Sequence, residues 1–367
     1  MRIAYPSVTR MGLGNNLITV AKAYLIADSC GMHYQRPAWP ANEHVTPPTS
    51  NGYGYYFPAS LPERVRLRCL SSLHRIQKRV PIRLGPPVLA FDRPQYEQIG
   101  ITDVGQACAV YLRSLGLDDH EKSVVVATSG MWGAYAAIRR ARSWLRELLW
   151  SHAETRRRFE DITARMNGRL RVAVNIKMGS YGSARGRFEE GERCVRLPLD
   201  WFVRVCRLVR QACDCEFVLV TDGTADELEP LLEEIRPVHY LGESYTDVLG
   251  LLLLIDSDLV VCSNSTYSRL ACFLNDKPYV WIADTLVRHP SGLYGCLWRP
   301  DATPMPTWLN SPVRPASGSR DAIRRCVALS YDFAALPPGL VRYLGSGGRL
   351  PIEIGDDLLY GSLVPLE

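Results

Sequence analysis

Apolar and polar positions over the first thirty residues predict a strand, a turn and a helix. Arg2 to Val8 reads as a strand, and Thr9 to Gly14 is a glycine-bearing loop. From about Asn15 to Ser29 the residues Leu17, Val20, Ala21, Tyr24 and Leu25 share one helical face. Between Arg36 and Pro94 the pattern dissolves into Pro, Gly and Tyr (Pro47, Pro48, Gly52, Tyr53, Pro86, Pro87), a composition typical of binding loops. Periodicity returns over Asp103 to Leu115, in the apolar strand Ser123 to Thr128, and in helical patterns over Trp132 to Trp150 and His152 to Met166. Asn167 and Gly168 end that helix, and a domain boundary is expected there.

From Leu170 the alternation becomes regular. Strands are expected at Leu170 to Ile176, Glu216 to Thr221, Val238 to Leu241, Leu259 to Cys262 and Tyr279 to Ile282. Helices are expected at Leu199 to Ala212, Ala225 to Ile235, Thr246 to Ile255 and Thr266 to Leu274. Short apolar strands separated by helices indicate a parallel sheet covered on both faces, whose ligands sit at the carboxyl ends of the strands. The organisation expected is α/β: residues 1–167 as one Rossmann-like domain, 168–335 as a second, and 336–367 as a tail packing back.

Composition narrows the class. At 47% hydrophobic and 22% charged residues the chain is globular, and its formal net charge of +5 suits a phosphate-bearing ligand without implying a nucleic-acid partner. The arginine groups Arg139, Arg140, Arg142 and Arg156, Arg157, Arg158 read as solvated helix faces. Eleven scattered cysteines, an odd number, argue for reduced thiols rather than a disulfide framework, and no zinc-ligand spacing is present. The start of the chain carries no basic stretch leading into a long apolar segment, so a cytoplasmic location is expected. The most apolar run, Val248 to Ile255, is far shorter than the roughly 20 residues of a membrane span.

The sharpest chemical signal follows Asp258, where a buried strand ends in Ser263, Asn264, Ser265 and Thr266 and turns directly into a helix. Small hydroxyl residues at a helix start, with its backbone N–H groups and positive dipole end, make a diphosphate cradle; the bland alternative is plain N-capping. Asp256 and Asp258 match the Asp-x-Asp of manganese sites, yet they precede a buried strand, where that motif does not belong. No metal is therefore expected. Gly12 and Gly14 lack the third glycine and the later acid of a dinucleotide fold.

The order acid, apolar strand, Ser-Asn-Ser-Thr-Tyr-Ser, helix, then Lys277-Pro278 and a strand resembles the donor-site motif of the fucosyltransferase superfamily. Arg171 to Tyr181 is similar to that family's His-x-Arg-Arg-x-Asp block, but Asn175 stands for the His, Lys177 and Met178 for the arginines, and Ser180 for the acid. Phe217 to Asp222 resembles the family strand whose terminal acid contacts the nucleoside, with an N-cap as the alternative role for Asp222. Met11 to Leu17, with Gly12, Gly14 and Asn15, is similar to the family's Gly-Leu-Gly-Asn loop.

The resemblance implies a GT-B-like fold, two Rossmann-like domains facing across a cleft, and an inverting, metal-independent glycosyl transfer to a glycan or small-molecule hydroxyl. The donor implied is a GDP-sugar, with fucose as the leading sugar. Departing diphosphate would be met by Lys177, Arg185, Arg187, Ser265 and Thr266, and nucleotide contacts would come from Gly12, Gly14, Asn15, Asp222, Ser263 and Asn264. No general base stands out, since Glu189, Glu190 and Glu192 read as solvated loop charges. Two rivals remain at this level: a transferase using another GDP- or UDP-sugar, and a non-catalytic nucleotide- or glycan-binding protein on a degenerate form of the fold.

Overall fold

The computed structural model describes residues 1–9, 12–37, 39, 52–79, 86–166, 168–178, 182–183, 195–241, 247–283, 287–289, 292–294, 323–353 and 363–364. They fall into two compact units, one beginning at Met1 and running to Leu148, the other beginning at Leu149.

The first unit is built on four parallel strands, β1 (Arg2–Pro6), β2 (His33–Tyr34), β3 (Val88–Ala90) and β4 (Val124–Thr128), in the order β2-β1-β4-β3. Every residue of β4 is buried, as befits an unbroken Val/Ala run in a central strand covered on both faces. Helix α1 (Leu13–Ser29) starts two residues earlier than the pattern predicts, with Gly12 as its N-cap.

The stretch expected to be irregular contains the helix α2 (Leu61–Arg79) and ends where α3 (Arg93–Ile99) begins. Reciprocal bonds start α2: the Ser60 N–H donates to Glu63 at 2.7 Å and the Glu63 N–H to the Ser60 hydroxyl at 3.4 Å. Its buried Leu70 joins Ile3, Tyr5, Val125 and Ala127 on the sheet. Helix α4 (Val104–Ser114) is capped by Asp103. The helix expected over Trp132 to Trp150 is broken into α5 (Ala134–Ala137), a 3₁₀ turn at Arg139–Ala141 and α6 (Arg142–Trp150). Gly133, at φ 74°, is the left-handed start of α5, and a Cβ there would lie 2.6 Å from that of Ala137. Arg140 pairs with Asp103 at 2.7 Å and Asp28 at 3.2 Å, so this arginine ties helices together rather than facing solvent alone.

Lys22 of α1 is fully buried, donates to the Ser129 carbonyl at 2.9 Å and lies 3.4 Å from the Trp132 ring centre. Burial pulls its pKa well below the ordinary lysine value, against an opposing pull from Asp92. The folded chain thus sheds this proton where the unfolded chain, with lysine at about 10.4, keeps it. Stability should therefore rise with pH between the depressed value and about 10.4. In urea unfolding at about pH 7 and about pH 9.5, the native chain should gain stability relative to Lys22→Met as pH rises; parallel behaviour would refute the buried titration.

The second unit holds six parallel strands: β5 (Leu170–Ile176), β6 (Cys215–Thr221), β7 (His239–Leu241), β8 (Leu259–Val261), β9 (Tyr279–Ile282) and β10 (Cys326–Leu329). Their order is β10-β9-β8-β5-β6-β7. The chain moves outward from β5 through β6 to β7, then returns to the other side of β5 and moves outward again, so strand order reverses between β5 and β8. Helix α7 (Ala153–Thr163) packs against α10 (Asp247–Ile255), which is why this unit begins before the loop at Gly168. Helices α8 (Leu199–Ala212) and α9 (Ala225–Ile235) place Trp201, Phe202, Val205, Leu228 and Leu231 in the core. The chain after Leu336 packs back through α12 (Pro338–Gly345), whose Leu340, Tyr343 and Leu344 are buried.

Candidate functional site

A strand-order reversal leaves a crevice outside the carboxyl ends of the two strands that diverge there, the usual ligand position in open parallel sheets. Here those strands are β5 and β8. Lys177 and Met178 follow the first; Ser263, Asn264 and Ser265 follow the second and lead into α11 (Thr266–Leu274).

Asn175 joins the two sides. Its side-chain amide donates to the Val220 carbonyl of β6 at 2.9 Å. Its oxygen accepts from the hydroxyls of Ser268 at 2.6 Å, Ser263 at 3.1 Å and Ser265 at 3.5 Å. All four residues are buried. The Ser265 hydroxyl also caps α11 by accepting from the Ser268 N–H at 3.1 Å. The Ser263 and Ser265 hydroxyls thus lie in the protein's own network, while Asn264 and Thr266 are half-buried and Asn264 accepts from Arg269 at 3.0 Å.

Lys177 and Asp222 meet because β5 and β6 run in register, Ile176 beside Thr221, so the residues after each strand are neighbours. Their side chains form an ion pair, and the second Asp222 oxygen accepts from the Met178 N–H at 2.7 Å. Asp222 does not cap α9: Thr224 does, in a reciprocal pair with Glu227. Arg196 completes this cluster, donating to the Met178 carbonyl at 2.8 Å and to Glu227 at 2.9 Å. Arg196 has no sequence signal of its own; 18 positions separate it from Met178, and only the folded chain brings them together.

Arg185 and Arg187 lie outside the described residues, as do Ser180, Glu189, Glu190 and Glu192. In the first unit, Gly12 has φ −59° and nothing within 4 Å of where a Cβ would stand, so neither backbone strain nor crowding requires glycine there. Gly14 is buried in the first turn of α1. Asn15 has a buried side-chain oxygen without a hydrogen-bond partner among the described residues. Its neighbour Asn16, which the sequence did not single out, clamps the loop by bonding both the N–H and the carbonyl of Thr9 at 3.0 Å.

The Asp-x-Asp pair sits at the other end of the sheet. Asp256 pairs with the Arg171 guanidinium at 2.5 Å, and Asp258 accepts from the Arg171 N–H at 2.9 Å. A recess of about 960 Å³ also opens at that end, lined by Arg169, Arg210, Cys213, Cys215, Glu216 and Arg236. Arg169 is paired there with Asp214 at 3.2 Å and Glu216 at 2.8 Å. Since it opens at the amino ends of the strands, the opposite crevice is the better candidate despite the recess's size.

No protein-family profile and no curated sequence matches the chain. Solved structures similar to it include the Bradyrhizobium fucosyltransferase NodZ, at 17% identity over 75% of this chain and 93% of that one, with a TM-score of 0.40. A mutant Arabidopsis thaliana FUT1 in complex with GDP is similar at 10% identity over 76% and 69%, TM-score 0.42. POFUT1 in complex with GDP-fucose is similar at 14% over 75% and 94%, TM-score 0.41. At such scores the likeness is one of general architecture, and no residue of this chain takes a role from it.

Proposed function

We propose that this chain is an inverting glycosyltransferase that needs no metal and takes its sugar from a nucleoside diphosphate, with GDP-fucose as the leading donor. The observation that carries this reading is the convergence, at the strand-order reversal of the second unit, of a cation, an acid and a helix start: Lys177, Asp222 and the first turn of α11. The helix start and Lys177 suit a diphosphate, and Asp222 suits the N–H and O–H donors of a nucleoside.

In the reaction, an acceptor hydroxyl attacks the anomeric carbon from the face opposite the diphosphate. The carbon–oxygen bond to phosphate breaks, the nucleoside diphosphate leaves with the electron pair, and the hydroxyl proton passes to solvent or a base. Lys177, Arg196 and the α11 N–H groups are the fixed positive groups that would stabilise the leaving oxygens, with Thr266, Arg185 and Arg187 as further donors. Ser263 and Ser265 act through Asn175 by holding the α11 start in place. In the first unit, Gly12, Gly14 and Asn15 are kept as proposed substrate contacts, and the buried Asn15 oxygen, without a hydrogen-bond partner among the described residues, suits a substrate hydroxyl.

A second reading, a non-catalytic nucleotide- or glycan-binding protein, is favoured by one observation: Lys177 is already ion-paired with Asp222. A thermal-shift panel of GDP, UDP, TDP and NAD tests the donor assignment. At a hundredfold excess over Kd, a bound nucleotide adds about 2.7 kcal/mol, enough for a rise of a few degrees. GDP should give the largest rise; an equal or larger shift with NAD would replace the sugar-nucleotide reading with a dinucleotide one.

A further inference from the structure

We infer that α2 is a membrane-surface helix that seats the first unit on an anionic lipid bilayer. Its inner side is fixed by the buried Leu70 on the sheet and by Glu63, which is held by Ser60 and paired with Arg36 at 3.9 Å. At 3.6 residues per turn, Leu61, Val65 and Ser72 lie on the opposite side from Leu70, with Cys69 beside them. Leu61 is 66% exposed and Val65 54%, and Cys69 is exposed as well. Arg64 and Arg68 border this stripe along one edge, while Arg66 lies on the Leu70 side of the helix, and all three are exposed. The helix sequence continues with Arg75, Lys78 and Arg79 and contains no acid besides Glu63.

An outward face that alternates aliphatic side chains with arginines matches one surface in both respects. Leu61 and Val65 can enter the acyl boundary while the arginines meet lipid phosphates. A nucleic acid would use the cations and leave the aliphatic stripe in water. No described helix is long and apolar enough to cross a membrane.

The test is vesicle co-sedimentation of the full chain. Phosphatidylcholine vesicles are compared with vesicles carrying about 30% phosphatidylglycerol, and a short double-stranded DNA serves as competitor. Binding should require the anionic lipid. Arg64→Gln with Arg68→Gln should weaken it about 25-fold, because each cation contributes about fivefold near an anionic leaflet. Leu61→Ser with Val65→Ser should weaken it about tenfold at unchanged charge. Both pairs are exposed, and unchanged melting temperatures would show that the fold is intact. Absence of binding to the anionic vesicles would overturn the inference. So would native-like binding by the Ser variant together with full displacement by DNA, which would make α2 a general polyanion face.

Discussion

Lys177→Met should lower turnover on the order of 10²-fold with a smaller effect on donor affinity, because the cation is needed most when negative charge builds on the departing diphosphate. Lys177 follows β5 at the strand-order reversal and is ion-paired with Asp222. Lys177→Arg should retain activity or exceed it, since a guanidinium offers two parallel donors to phosphate where an ammonium offers a point charge. Steady-state kinetics on both variants decides the matter. Full activity in the Met variant would move the role to Arg196, Arg185 or Arg187.

Asn175→Leu should cost about 3 kcal/mol or more of stability and abolish nucleotide binding. The side chain is similar in volume, so the loss is polar. Ser263, Ser265 and Ser268 would lose their shared acceptor and keep only their bonds to one another at 3.1–3.3 Å, and the Val220 carbonyl would lose its side-chain donor, in a region where each buried group left unpaired costs about 1–3 kcal/mol. The same change frees the start of α11 from β5, which is where the proposed function puts the diphosphate. Urea unfolding and a GDP titration on the variant provide the check. A loss under about 1 kcal/mol would mean that the serine hydroxyls find other acceptors and that the network is not the support of the site.

Between Leu170 and Ile282 the second unit was legible in the sequence nearly to the residue, whereas β10 and α12 were not among the expected elements. The observed β5, α8, α9, α11 and β9 share the expected limits, because buried parallel strands are unbroken apolar runs and the helices between them carry strong apolar stripes. Helix α2 was not legible: among its described side chains only Leu70 is fully buried, too sparse a stripe to stand out beside Pro- and Gly-rich neighbours. The Trp132 to Trp150 pattern was read as one helix because its breaks at Gly133 and Ile138 are matters of backbone dihedral, not hydrophobic period.

At the candidate site the residue types at the strand ends were visible, and the parallel register then brings Lys177 to Asp222. What local sequence does not encode is direction. Ser263 and Ser265 read as ligand contacts but turn inward to Asn175, a residue noted only as a substitution in a motif. Arg196 reaches Met178 and Glu227 through long-range packing that no spacing rule anticipates.

The most direct measurement is a calorimetric titration of GDP into the full chain in EDTA, repeated with Asp222→Ala. A nucleotide site at the ends of β5, β6 and β8 predicts one GDP per chain without metal. It also predicts affinity lowered about tenfold or more in the variant, the loss of one charge-assisted hydrogen bond, with the melting temperature largely retained. No binding in EDTA, or the same dissociation constant in both proteins, would contradict the account.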